Sequence, residues 1–189
     1  LLGWGGLTLL GTIVFFGPTM VRARIEVGAD DRAARALRHG GTGLTIGVLL
    51  LLATGVGGPA ETLLRVAAAV ALGVFAAATT VTCTAVGRVA IRGQETAARW
   101  LVMGVACWFP VVVWVDVLAV SVGAWQWMDA LGLALILGVL APAMLATLTH
   151  VVPLLRRSMT ARDRVRARLT LGGALRSGGW NAGVVLVVL

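Results

Sequence analysis

The chain has no lysine and no tyrosine, and among 189 residues it holds only two histidines, two cysteines and eight acidic side chains. These absences remove whole classes of chemistry. No zinc-ligand spacing, phosphate-binding glycine loop, dinucleotide fingerprint or hydrolase nucleophile elbow occurs anywhere in the sequence. The net charge of +8 invites a nucleic-acid reading, yet no soluble module exists to carry it, so no nucleic-acid partner is expected. Cys83 and Cys107 both fall within apolar stretches and are expected as free thiols.

What the chain has instead is apolar surface. Hydrophobic residues make up 59% of it, more than a soluble domain of this size needs. Apolar stretches cover residues 1–20, 37–56, 62–86, 100–123, 131–155 and 177–189. A helix of about 20 residues crosses the hydrocarbon core, so these read as six visible spans of an all-α polytopic transmembrane bundle, one domain over 1–189. Both ends of the sequence lie inside or against a span, and the chain is expected to be part of a longer protein. The first stretch lacks the basic flank and cleavage site of a signal peptide.

All sixteen basic residues are arginine, and their placement is lopsided. The first, third and fifth gaps between spans hold Arg22, Arg24, Arg32, Arg35, Arg38, then Arg88, Arg92, Arg99, then Arg156, Arg157, Arg162, Arg164, Arg166, Arg168 and Arg176; the other two gaps hold only Arg65. Cytoplasmic loops collect Lys and Arg, so the odd-numbered loops are expected to face the cytoplasm. An Arg-, Ala-, Gly-, Val- and Leu-rich composition points to a GC-rich bacterial genome, and hence to the bacterial inner membrane. Gly57, Gly58, Pro59 and Ala60 read as a tight turn between antiparallel helices, with Glu61 and Arg65 spaced to pair as an interfacial ion pair. The segment MTARDRVRAR reads as polar and helical, its arginines drawing anionic lipid headgroups.

A repeat is legible at constant offset. Leu2, Gly3, Leu10, Thr12, Pro18 and Arg22 match Leu137, Gly138, Leu145, Thr147, Pro153 and Arg157; one added residue aligns Gly43, Gly47 and Leu50 with Gly179, Gly183 and Leu186. Residues 1–56 would then repeat in 136–189, parallel, about an axis along the membrane normal. Glycines crowd the first two spans, as close helix contacts require.

Few residues can carry chemistry. Asp116, in WFPVVVWVDVLAVSV, is the only acidic residue well inside a span, roughly 9 Å from the outer end of its helix. A carboxylate there faces a cavity, a partner or a proton path, and Asp116 is the first candidate, as a proton or polar-ligand site. A structural hydrogen bond to a neighbouring helix is the competing reading. Pro110 would free a carbonyl on the same helix. His150, in TLTHVVPLL, is the second candidate, either as a cofactor contact or as an interhelical hydrogen bond. His39, Cys83, Met103 and Cys107 share the inner half with it, a soft set suited to copper or haem, but no spacing pairs them. No metal ligand is therefore assigned. Trp114, Trp125 and Trp127 read as an aromatic belt at the outer boundary.

Three segments, LLGWGGLTLLGTIVFFGPTMVRARI, LATLTHVVPLLRR and WNAGVVLVVL, resemble the membrane module of actinobacterial multicopper-oxidase proteins, in which a many-helix region precedes cupredoxin domains like those of copper nitrite reductase. The likeness covers most of the chain through hydrophobic motifs. It implies an oxidoreductase setting: a membrane part that anchors, or passes electrons to, an extracytoplasmic copper domain. Copper would lie in that domain, and haem is a further cofactor compatible with the setting; neither is assignable to this chain. The family's His-rich stretch precedes the segment matching LLGWGGLT, and His150 stands where relatives often have an aromatic residue. The helix grouping is also similar, more loosely, to that of haem–copper oxidase subunits. The alternatives are a non-catalytic subunit packed within a larger membrane complex, and a metal or small-solute transporter coupled through Asp116. Lipid bilayer and a cupredoxin domain or other membrane subunits are the expected partners.

Overall fold

A computed structural model of the chain describes residues 8, 11–12, 29–55, 57–93, 96–155 and 159–188. Among these residues there is no strand. The helices run in order: α1 (Ala29–Thr54), α2 (Glu61–Arg92), α3 (Ala97–Val122), then α4 (Met128–Leu135) continuing through a π-helical turn, Ile136–Leu140, into α5 (Ala141–Leu154). A 3₁₀ turn, Trp125–Trp127, leads into α4, and two further helices, α6 (Met159–Thr170) and α7 (Gly173–Val188), follow. Four segments are long and apolar enough to cross a membrane: Asp31–Thr54, Glu61–Arg92, Ala98–Val122 and Trp125–Pro153. They correspond to the second to fifth of the expected spans. The first lies outside the described residues except for Thr8, Gly11 and Thr12, and with it the repeat positions Leu2, Gly3, Leu10, Pro18 and Arg22. α7 covers the sixth. Helices are the form such segments must take, since hydrocarbon offers no partner for a free N–H or C=O.

The helices outrun the apolar stretches. α1 starts about two turns before residue 37 and α2 continues to Arg92, because polarity marks where hydrocarbon ends and not where a helix must end. Charges suit the ends of α2: Glu61 sits in its first turn and Arg92 in its last, each opposite in sign to the local helix dipole. The turn before it is the expected Gly-Pro turn, with Gly57 and Gly58 at φ 73° and 113°, values that only glycine adopts without strain.

α1 and α2 pack as a close antiparallel pair on a glycine seam. A Cβ added to Gly40 would stand 2.7 Å from the Ala78 Cβ, one on Gly43 2.6 Å from the Ala71 carbonyl oxygen, and one on Gly47 2.7 Å from the Leu72 side chain. The backbones touch where side chains would otherwise hold them apart. Along α2, the hydroxyls of Thr79 and Thr82, both fully buried, donate to the carbonyls of Phe75 and Ala78 in the preceding turn. A polar side chain is thereby satisfied inside an apolar layer without a partner helix.

α3 is the axis of the bundle and touches α2, α4, the π turn, α5, α6 and α7. Its start is capped by Thr96, whose hydroxyl accepts from the Arg99 N–H at 3.2 Å. Its end is closed by Gly123 in the left-handed conformation, φ 72°, whose N–H returns to Ala119 and Val120. The helix continues through Pro110. Phe109, Val105 and Val113 form its fully buried face, against Phe75, Val86 and Val139.

Candidate functional site

Asp116 lies on α3 at the wall of a partly open cavity of about 230 Å3 between α1, α2, α3 and α4. Its other described lining residues are apolar apart from the Trp125 indole: Leu44 and Leu51 from α1, Leu72 from α2, and Met128 and Leu135 from α4 are among them. Among the described lining residues Asp116 alone is charged. The helix position follows from the sequence; the cavity does not. It arises because the glycine seam holds α1 tightly on α2 while α4 starts from the 3₁₀ turn beyond α3, leaving room between them. A space of this size admits several waters, and the carboxylate is the polar group that would order them.

Arg65, the one arginine of the second and fourth gaps, does not pair with Glu61 as their spacing predicts. Its guanidinium folds over the end of α3 instead, with Nη1 2.7 Å from the position a Cβ on Gly123 would occupy, and its Nε is buried without a hydrogen-bond partner. The carbonyl end of a helix carries partial negative charge, which draws the cation there. Arg65 and Asp116 thus both lie towards the same end of α3.

A second polar cluster joins α3 to α7. The Trp108 indole donates to the Asn181 Oδ1 at 2.8 Å, the Asn181 amide donates to the Ser177 carbonyl at 2.7 Å, and the Ser177 hydroxyl donates to the Trp100 carbonyl at 3.3 Å. Asn181 lies beside Gly104, its Oδ1 3.5 Å from where a Cβ would stand, and Gly138 lies so close under Trp108 that a Cβ there would be 2.9 Å from the indole. Nearby, Trp180 donates to the Leu137 carbonyl at 2.9 Å within the π turn. Sequence reasoning passed over Ser177 and Asn181. The available signal was two amide- and hydroxyl-bearing residues four apart in the last apolar stretch, hence on one helix face.

The remaining candidates are dispersed. His150 is half-buried on α5, His39 is exposed on α1, Cys83 is buried on α2, Cys107 is exposed on α3 and Met103 is half-buried on α3. Both cysteines are free. Among the described residues no three His, Cys, Asp or Glu side chains gather as a metal-binding group. Trp125 and Trp127 are exposed beside the α3–α4 turn, whereas Trp114 serves the bundle: its indole donates to the Thr80 hydroxyl at 3.0 Å. Comparison with known protein families, with curated proteins and with solved structures gives no match to this chain.

Proposed function

We propose that the chain is a membrane-embedded helical module whose working group is the Asp116 carboxylate, taking up and returning a proton or holding a polar ligand in its cavity. One observation carries this reading: an acidic side chain within an apolar span lines a cavity between four helices whose other described lining residues bear no charge. A charged carboxylate in the hydrocarbon layer is unfavourable by about 3 kcal/mol or more, so its retention there calls for a use or a compensating partner.

The sequence resemblance supplies the setting. In it, the module anchors an extracytoplasmic copper domain in the bacterial inner membrane, odd-numbered loops inward, and Asp116 supplies a proton where electrons are consumed. His150 is the second residue assigned to this role, as a contact for a cofactor held elsewhere in the assembly. The six spans and the parallel repeat of 1–56 in 136–189 belong to this reading.

Metal and haem analysis of the purified full-length protein, together with an Asp116→Asn variant, tests it. Bound copper and an oxidase activity that falls in the variant while the protein still assembles support both parts. Copper with full activity in the variant removes Asp116 from the mechanism. Absence of copper and haem, with solute uptake lost in the variant, favours the transporter reading over the redox one.

A further inference from the structure

A second and larger cavity, an open groove of about 800 Å3, runs along α7 between it and α3 and α5. One face of α7 forms one wall: Gly173, Arg176, Trp180, Gly183 and Val187 recur at helical spacing. Leu101 of α3 and Leu145 and Thr149 of α5 are on the opposite wall. Nothing described fills it: a Cβ added to Gly179 or Gly183 would meet no atom within 4 Å.

We propose that this groove holds one anionic phospholipid, with an acyl chain laid along α7 and the headgroup phosphate at Arg176. Three features fit that occupant. The groove is apolar along its length and carries its one described charge, Arg176, at one end. From Gly173 to Val187 it extends about 21 Å along the helix, enough to take a chain through one leaflet of about 15 Å. The charged end lies where α7 begins, so the free N–H groups of its first turn add to the attraction for a phosphate, and α6 brings Leu169 to the same mouth together with a helix rich in arginine. Arg176 donates one N–H to the Leu171 carbonyl, which holds the side chain at the mouth, and a guanidinium has further donors to offer. A neutral partner helix would use the apolar wall but leave the arginine without a counter-charge.

The test uses the purified full chain in non-ionic detergent, titrated with phosphatidylglycerol or with phosphatidylcholine of the same acyl chains, with bound lipid counted by native mass spectrometry. One phosphatidylglycerol per chain should be retained in preference to phosphatidylcholine. Arg176→Gln should weaken that preference about fivefold to tenfold while leaving the melting temperature of the lipid-free protein unchanged. Gly183→Phe, which fills the apolar part, should lower retention of both lipids, whereas Leu186→Ala, on an exposed position outside the groove, should not. Inorganic phosphate should fail to displace the bound lipid. Equal retention of the two lipids with no effect of Arg176→Gln overturns the proposal, as does displacement by phosphate alone. So does efficient disulfide cross-linking of Gly183→Cys, in a background with Cys83 and Cys107 replaced by alanine, to a second copy or to a cysteine placed within residues 1–20, since protein would then occupy the groove.

Discussion

The Trp180 indole N–H is bonded to the Leu137 carbonyl, 2.9 Å away, and that carbonyl needs it because of Pro142. In the π turn the Ala141 N–H reaches back five residues to Ile136. The next residue in that register, Pro142, would serve Leu137 but has no N–H to give. Trp180, from another helix, supplies the missing donor. Trp180→Phe should therefore destabilise the protein by about 1 kcal/mol or more, the cost of a carbonyl left unpaired in apolar surroundings. In a Pro142→Ala background the same change should cost less, since an alanine at that position brings its own N–H. Unfolding of the four proteins in detergent gives the coupling directly, and additive effects would show that the two residues act independently.

The seam between α1 and α2 leaves no room at Gly43. Its neighbour there is the Ala71 carbonyl oxygen, backbone that cannot swing aside. Gly43→Ala should cost about 1–3 kcal/mol by forcing the pair apart. Gly73→Ala, where a Cβ meets nothing within 4 Å, should be neutral or slightly stabilising. Equal melting temperatures for the two variants would mean that the seam is not under the tight contact described.

Asp116 allows structure and chemistry to be separated. Asp116→Leu removes the polar group and adds an apolar side chain to an apolar cavity. If the carboxylate serves function, this variant should match or exceed the parent in thermal stability, while activity is lost in both Asp116→Leu and Asp116→Asn. If it serves folding, Asp116→Leu should be destabilised by about 1 kcal/mol or more and Asp116→Asn much less.

The orientation rests on arginine placement, and labelling tests it. In a chain freed of Cys83 and Cys107, a cysteine at Ala60, exposed in the Gly-Pro turn, should react with an impermeant reagent added outside intact cells, and one at Arg164, exposed on α6, should not. The reverse pattern inverts the topology.

Much of the helical plan was open to one-dimensional reading, because apolar length and the need to satisfy every backbone group leave few alternatives. The Gly-Pro turn, the helical MTARDRVRAR segment and the position of Asp116 on its helix follow in the same way, each from local residue chemistry. Local chemistry misjudged Arg65: a carboxylate four residues away was visible in the sequence, while the carbonyl end of α3 was brought within reach only by folding. Trp114 was placed at a boundary by its type, and its link to Thr80 depends on the register between α2 and α3.

The sequence by itself determined that Asp116 is an isolated carboxylate in an apolar span, that glycines line α1, and that Pro142 removes a donor. Tertiary structure alone decided what each of these meets: a cavity for Asp116, the backbone of α2 for Gly43, and, for the carbonyl that Pro142 cannot serve, an indole from a helix 43 residues further along the chain. The physical reason is that a helix sets the direction and spacing of its own side chains, whereas the groups that answer them belong to other helices. Their positions follow from packing depth and register, which side-chain volumes fix jointly across the bundle and no single segment encodes.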